Sequence, residues 1–312
     1  MVGGGRISPQ GDKVLFRVGH GDFKDNQFEV YSYLYDAHVD RTGEFTTTGR
    51  VWDIRWLSDE SVALLKTTDK EGFQIRVFEE LLGGGQRITN HPGGIETFEP
   101  FGNGFIYIAK KTTEQQRART DKYGTFIDVE EEASASALYY VDMDLIRKER
   151  HSLRLESSAD PETKPVMELS RMLPGPCKIE SIFPVLADNA IFINTRSKDD
   201  FFYEDDTRCF RIEFDPHNVF KDKHGDKSLS GTVTPLALPT GARIQAISPD
   251  GKKLVVSHRE RGLGSNVQSD LWLLDLAILG ESLESNELLS RLTCITRNLD
   301  REPLDVFWTK LG

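Results

Sequence analysis

One ten-residue pattern occurs near both ends of this chain, and it limits what the chain can become more than any other feature. Ile247-Ser248-Pro249-Asp250-Gly251-Lys252-Lys253-Leu254-Val255-Val256 is matched almost position for position by Ile7-Ser8-Pro9-Gln10-Gly11-Asp12-Lys13-Val14-Leu15-Phe16. Proline at the second position of a four-residue turn presets φ, and glycine takes the left-handed position where the chain reverses. The apolar triplet after each turn reads as a buried strand, and Ile244, Ala246 and Ile247 alternate on the strand before the second copy. Each copy predicts a β-hairpin.

Weaker copies lie between them. Trp56-Leu57-Ser58-Asp59-Glu60-Ser61-Val62-Ala63-Leu64-Leu65 keeps strand, polar turn and apolar strand but loses proline and glycine. Phe98-Glu99-Pro100-Phe101-Gly102-Asn103-Gly104 runs into Phe105-Ile106-Tyr107-Ile108, and Phe183-Pro184-Val185-Leu186-Ala187-Asp188-Asn189 into Ala190-Ile191-Phe192-Ile193. A third strand that tends to end on an acid follows each hairpin, over 30–36, 73–79, 138–142, 209–213 and 271–275. A short fourth strand follows in most units, at 86–89, 166–170, 233–238 and 291–293. Four antiparallel strands make a blade, and blades in series make a propeller.

The fold expectation is therefore all-β, a β-propeller of four-stranded antiparallel blades with about five blades present and the set incomplete. The blades are placed at 1–49, 50–90, 91–172, 173–239 and 240–298, with 299–312 as the start of a further blade and no hydrolase domain. Unit lengths are uneven because of inserts. Between second and third strands these are 111–133, 197–207 and 258–269; between third and fourth they are 143–164, 216–232 and 277–290. The first of the second group reads as partly helical over 145–153. Residues 1–7 leave little room for an inner strand. Asp305-Val306-Phe307-Trp308-Thr309 looks like the first strand of another unit, with Trp308 aligned on Trp56. A propeller opened at that point exposes sheet edges and apolar faces, so the expectation is a piece of a longer protein.

Composition agrees with strands: 18 Phe, 8 Tyr and 4 Trp sit in short β-branched or aromatic runs rather than in long 3.6-residue periods. The net charge of −11 is spread along the chain and argues against a nucleic-acid partner. Three cysteines, Cys177, Cys209 and Cys294, lie far apart, and an odd number leaves a thiol free, which points to a reducing, cytoplasmic location. No apolar stretch approaches a membrane span, so no membrane partner is expected.

At 7–16 and 247–256 the pattern resembles the TolB-type propeller repeat. Together with Thr89-Asn90-His91-Pro92-Gly93-Gly94-Ile95 and Leu271-Trp272-Leu273-Leu274-Asp275, it is similar to the propeller of the prolyl oligopeptidase family of serine peptidases. Tyr123-Gly124-Thr125-Phe126 leading to Val129-Glu130-Glu131 is similar to the acylaminoacyl-peptidase and dipeptidyl-peptidase branch. The resemblance implies a propeller that screens peptide substrates by size before they reach a covering α/β-hydrolase domain. These 312 residues contain no Gly-x-Ser-x-Gly nucleophile elbow, so no catalytic residue is assigned and the partner is a peptide substrate reached through a hydrolase domain absent here. The alternative is a non-catalytic TolB- or WD-type propeller acting as a protein-interaction scaffold.

The substrate-binding candidates are Glu130, Glu131 and Glu132, because the resemblance implies propeller glutamates that hold a free α-amino group through charge and accepted hydrogen bonds. The same run also reads as a solvated acidic stretch. Asp199-Asp200 and Glu204-Asp205-Asp206 share that ambiguity. Asp215, His217, Asp222, His224 and Asp226 form a local cluster, but Lys221, Lys223 and Lys227 between them would repel a cation, so no metal is expected. Gly3 to Gly5, Gly83 to Gly85 and Gly262-Leu263-Gly264 lack the features of phosphate loops and read as turns or flexible ends; no cofactor is expected.

Overall fold

All five hairpins form, and each grows into a four-stranded antiparallel sheet in chain order. The computed structural model describes residues 2–22, 27–46, 50–68, 71–81, 85–91, 93–110, 136–147, 166–175, 177–197, 207–215, 231–239, 241–258, 269–280, 291–297, 306 and 308. The first sheet is β1 (Val2–Ile7), β2 (Lys13–Asp22), β3 (Gln27–Asp36) and β4 (Arg41–Thr46). The second is β5 (Val51–Trp56), β6 (Val62–Thr68), β7 (Glu71–Phe78) and β8 (Gln86–Arg87). The third is β9 (Ile95–Phe101), β10 (Gly104–Lys110), β11 (Ser136–Asp142) and β12 (Val166–Glu168). The fourth is β13 (Cys177–Val185), β14 (Ala190–Ser197), β15 (Thr207–Phe214) and β16 (Gly231–Pro235), and the fifth is β17 (Arg243–Ile247), β18 (Lys253–His258), β19 (Asp270–Asp275) and β20 (Thr293–Cys294). These are blades of an all-β propeller, five among the described residues.

The two strong turns are built alike. In the first, the Gly11 N–H donates to Ser8 O (2.9 Å), the Ser8 N–H to Lys13 O (2.8 Å) and the Lys13 N–H to Ser8 Oγ (3.1 Å). In the last, Gly251, Ser248 and Lys253 repeat those bonds at 2.8, 2.9 and 2.8 Å. Gly11 at φ +86° and Gly251 at φ +69° occupy the left-handed region the turn requires. A carboxylate orders each serine, but from a different position: Ser8 Oγ donates to Asp12 (2.7 Å) and Ser248 Oγ to Asp250 (2.6 Å). The degenerate turns use other means. Gly102 at φ +55° opens a two-residue turn that pairs Phe101 with Gly104, and Asn189 at φ +49° ends a 3-10 turn at Leu186–Asp188.

Several boundaries differ from expectation. Residues 2–7 do form a strand, and Gly3 to Gly5 lie inside it rather than in a turn: Gly3 pairs with Arg17 of β2, and Gly4 and Gly5 make an irregularity before the ladder resumes at Arg6 opposite Leu15. The first blade has a fourth strand, β4, with no anticipated counterpart. β16 starts at Gly231, two residues early, and β20 falls at Thr293–Cys294 rather than 291–293. A helical turn covers 143–147, at the start of the predicted helical stretch; 148–165 lie outside the described residues.

By internal contacts the chain divides into two compact units, residues 1–128 with 138–167, and 129–137 with 168–312. The first three sheets fall in the first unit, save for Ser136, Ala137 and Glu168 at strand ends. Its core joins Ala63, Leu65, Ile75 and Val77 of one sheet to Phe98, Phe105, Tyr107 and Val141 of the next. In the second unit Val185, Ala190 and Phe192 meet Ile244, Leu254, Val256 and Trp272. Second strands of the second to fifth sheets are buried on both faces, as in Val62 to Lys66 and Ala190 to Thr195, so they carry continuous apolar runs instead of alternation, whereas β2 buries only Leu15. Each fully buried Leu, Ile or Phe contributes about 1.5–3 kcal/mol.

Gly11 and Gly251 separate backbone strain from packing. A Cβ on Gly11 meets nothing within 4 Å, whereas one on Gly251 falls 2.6 Å from Val185 Cγ1 at the end of β13. Gly11→Ala is expected to cost about 1 kcal/mol from φ alone, and Gly251→Ala about 2–4 kcal/mol, read from urea unfolding midpoints. Asp250 gives a pH test. The Ser248 hydroxyl, then the Lys252 N–H, hold its carboxyl below the ordinary range. A carboxyl depressed in the folded state stabilises above its unfolded value of about 3.9 and loses that stabilisation as pH falls toward the folded one. Asp250→Asn is therefore expected to lower Tm at neutral pH, with the difference from wild type shrinking below about pH 4.

Candidate functional site

The antiparallel order places the end of each second strand, the start of each third and the end of each fourth at one edge of a sheet, where the second-to-third connections leave. In blade two this edge is closed by side chains. The short β8 stops at Arg87, and Thr89 continues its work: the Ile75 N–H donates to Thr89 Oγ1 (2.9 Å), which donates to Gln74 Oε1 (2.9 Å). Gln74 Oε1 also accepts from the His91 N–H (2.9 Å), and Gln74 Nε2 donates to His91 O (2.8 Å). Both ends of one buried amide thus hold the 89–91 corner. Blade five uses the same device, with the Leu271 N–H on Thr296 Oγ1 (2.8 Å) and Thr296 Oγ1 on Asp270 (3.0 Å).

The corner aims the His91 ring at blade three. It lies 4.7 Å from the Tyr139 ring and 5.7 Å from that of Tyr107, and the two tyrosines stack at 5.3 Å. His91 Nε2 sits 3.3 Å from the carbonyl of Lys110, the last residue of β10. Tyr107 is fully buried, its hydroxyl has no hydrogen-bond partner, and burial, then the neighbouring Tyr139, push its pKa up. This aromatic surface of His91 and Tyr139, both half-buried, is suited to flat or apolar contact and supplies no activated nucleophile. Gly72 and Gly94 meet backbone to backbone beside it: a Cβ on Gly72 would lie 2.8 Å from Gly94 Cα.

First strands of neighbouring sheets are joined by ion pairs. Arg55 on β5 makes a two-pronged contact with Glu99 on β9 (Nε 2.9 Å, Nη2 2.7 Å) while Nη1 meets Asp53 (2.6 Å). Burial pulls the Arg55 pKa down, but Glu99 and then Asp53 outweigh it and the net shift is upward. Arg6 on β1 approaches Asp53 at 3.7 Å. In the second unit Glu180 on β13 takes Arg196 (2.9 Å) and Arg243 of β17 (3.7 Å). Asn194 adds a buried amide bond to that pair of sheets, accepting from the Ile244 N–H (2.9 Å) and donating to Ile244 O (2.8 Å).

The sequence candidates fare unevenly. Glu130, Glu131 and Glu132 lie outside the described residues, as do Asp199, Asp200, Glu204, Asp205, Asp206, His217, His224 and the glycines at 262 and 264. Among the described residues no group of His, Cys, Asp and Glu could hold a metal. Gly85 belongs to packing, since a Cβ there would fall 2.2 Å from the Phe78 ring. Three residues that were not sequence candidates, Ser8, Asp12 and His38, come together, with His38 Nε2 3.0 Å from Asp12 Oδ2. The carboxylate sits in the middle and takes the serine proton's hydrogen bond, so the imidazole is not placed as a base for Ser8. The Ser8 hydroxyl also holds Asp12 below the ordinary carboxyl range. All three thiols are free, and burial raises Cys209 to about 12 and also lifts Cys177, which keeps both protonated at neutral pH. An open groove of about 370 Å³ lies among Asp188, Asn189, Glu213, Asp215 and Thr232, with Arg211 neutralising Asp188 and Glu213.

Gln74 and Arg55 carried no local signal. The only trace of the Arg55–Glu99 pair is spacing: the two are 44 residues apart, about one repeat. Glu99 and Asp53 keep only 23% and 21% of their side-chain surface exposed, so removing the cation takes both prongs from Glu99 and leaves Asp53 with the more distant Arg6. Arg55→Ala is expected to cost about 1–3 kcal/mol in urea unfolding, and Arg55→Met with Glu99→Leu less than Arg55→Ala alone.

No family model and no curated protein sequence matches the chain. Solved structures do. An acylaminoacyl peptidase of Pyrococcus horikoshii aligns at 12% identity and TM-score 0.55, over 93% of this chain and 39% of that one. An acylaminoacyl peptidase in complex with Z-Gly-Gly-Phe-chloromethyl ketone aligns at 12% identity and TM-score 0.56, over 96% and 40%. The β-propeller domain of the Trilobed protease from Pyrococcus furiosus aligns at 13% identity and TM-score 0.51, over 96% and 72%. The chain therefore spans less than half the length of the two acylaminoacyl peptidases, and it has the β-propeller fold seen in the Trilobed protease.

Proposed function

We propose that this chain is the substrate-gating propeller portion of a prolyl oligopeptidase-like serine peptidase and is not catalytic by itself. The observation that carries the reading is that 96% of the chain aligns with a protease's propeller domain while 93% of it covers only 39% of an acylaminoacyl peptidase. Rigid blades whose connections project from one edge can exclude folded proteins and admit short peptides, since passage depends on size rather than on chemistry. Glu130, Glu131 and Glu132, in the sequence between Lys110 and Ser136, are the proposed holders of a peptide's α-amino group. His91 and Tyr139 stand beside the end of β10 at Lys110 and offer flat apolar contact to a peptide. A cytoplasmic location fits three free thiols.

The test uses the polypeptide as its natural source produces it, treated with a fluorophosphonate that labels activated serines. The expected result is one labelled serine outside residues 1–312, with hydrolysis of short peptides and none of folded proteins. A label within 1–312 overturns the non-catalytic assignment. No label and no peptidase activity overturns the peptidase reading and favours an interaction scaffold.

A further inference from the structure

The seam between the first two sheets is apolar along one stretch and cationic along the next. Leu15 and Leu34, cross-strand partners on β2 and β3, pack there on Ile54, Val62 and Leu64 of the second sheet. Side chains two residues apart on a strand share a face. Arg17 and its partner Ser32 therefore stand on the first sheet's side of the seam, and Lys66 with its partner Val51 on the second sheet's side. The Arg17 guanidinium joins the two rows by donating to the carbonyls of Val51 and Trp52. Arg76, the partner of Leu64, brings a third cation to the same face. Two members of this set are buried at a cost. Ser32 is 1% exposed, and its hydroxyl has no hydrogen-bond partner. Lys66 is 7% exposed, and burial, then the like charge of Arg76, push its pKa down. Gln74, the cross-strand partner of Lys66, has a filled acceptor, because its Oε1 already takes the Thr89 hydroxyl and the His91 N–H.

We propose that a small inorganic anion of the halide class binds between the first and second sheets, held by the Ser32 hydroxyl and the Lys66 ammonium with Arg17 and Arg76 around it. The chemistry of the set selects this occupant. Hydroxyl, ammonium and guanidinium groups all donate, and a halide accepts from each without needing an acceptor in return. Its single negative charge also offsets the repulsion between Lys66 and Arg76, which is strong where water is excluded. A water molecule would satisfy the hydroxyl and leave that repulsion as it is. The site lies apart from the surface of His91 and Tyr139, and its consequence is different: the stacking of the first blade on the second depends on the anion present.

The direct test is a crystal of the protein grown in sodium bromide, with anomalous scattering locating the ion. The expected result is a bromide in contact with both Ser32 Oγ and Lys66 Nζ. In solution, Tm is followed as chloride replaces gluconate at constant ionic strength, so that screening of surface charge stays fixed. Wild type is expected to gain about 2 °C or more, saturably. Ser32→Ala and Lys66→Met are each expected to raise the chloride midpoint about tenfold or more, since each removes a donor to the ion. In gluconate, Ser32→Ala is expected to melt at or above the wild-type temperature, because it deletes a buried hydroxyl that has no partner. A crystal with no bromide between Ser32 and Lys66, or with a water there that bromide does not displace, overturns the proposal. So does a chloride gain of equal size and midpoint in wild type and Ser32→Ala.

Discussion

A four-stranded sheet has two faces, and a blade on its own covers neither. The second strands show what this constraint demands. Leu64, Ile106, Ile193 and Val256 belong to runs with no polar side to turn to water, so each sheet is stable only against a neighbour. Folding of one blade is thus conditional on the next, and every other interaction refines that stacking. The turns phase the strands so that apolar runs meet. The corner threonines, Thr89 and Thr296, end fourth strands only two residues long, replacing ladder bonds that such short strands cannot make.

Stacking by burial alone is non-directional, and the polar groups between sheets supply what it lacks. Arg55 between Asp53 and Glu99, Glu180 between Arg196 and Arg243, and Asn194 on the Ile244 backbone all bridge first strands or their immediate partners. Each is satisfied only at one sliding position of one sheet on the next, so they set register more than they add stability. The catalytic-looking groups of the described residues are absorbed by the same task. Ser8 and Ser248 bind the carboxylates that shape their own turns, and Cys209 is held as a thiol in the core.

Legibility followed range. The hairpins were readable because proline, glycine and serine act within five residues, and third strands because apolar runs ended on an acid. Strand β1 was hidden by Gly3 to Gly5, which interrupt the ladder with an irregularity and carry no side chains for a pattern to report. The ends of fourth strands were misjudged because β20 is located by Thr296, a side chain three residues past the expected end, and not by hydrophobic alternation. The aromatic surface of His91, Tyr107 and Tyr139 was invisible for another reason. Its members come from three segments, and only the glutamine-held corner brings the imidazole onto the tyrosines.

The alignment of Trp308 on Trp56 shows the division most clearly. Sequence alone determined the repeat, its hairpins and the equivalence of the two indoles, because those depend on local turn chemistry and on the order of apolar residues. Only the tertiary structure decided what the equivalence means. Val306 and Trp308 lie on Val255 and Leu273 as Ile54 and Trp56 lie on Leu15 and Leu34, and one indole has its carbonyl while the other does not. Contacts between residues a whole repeat apart leave no local trace, since their energy depends on how sheets stack and not on which residues are neighbours in the chain.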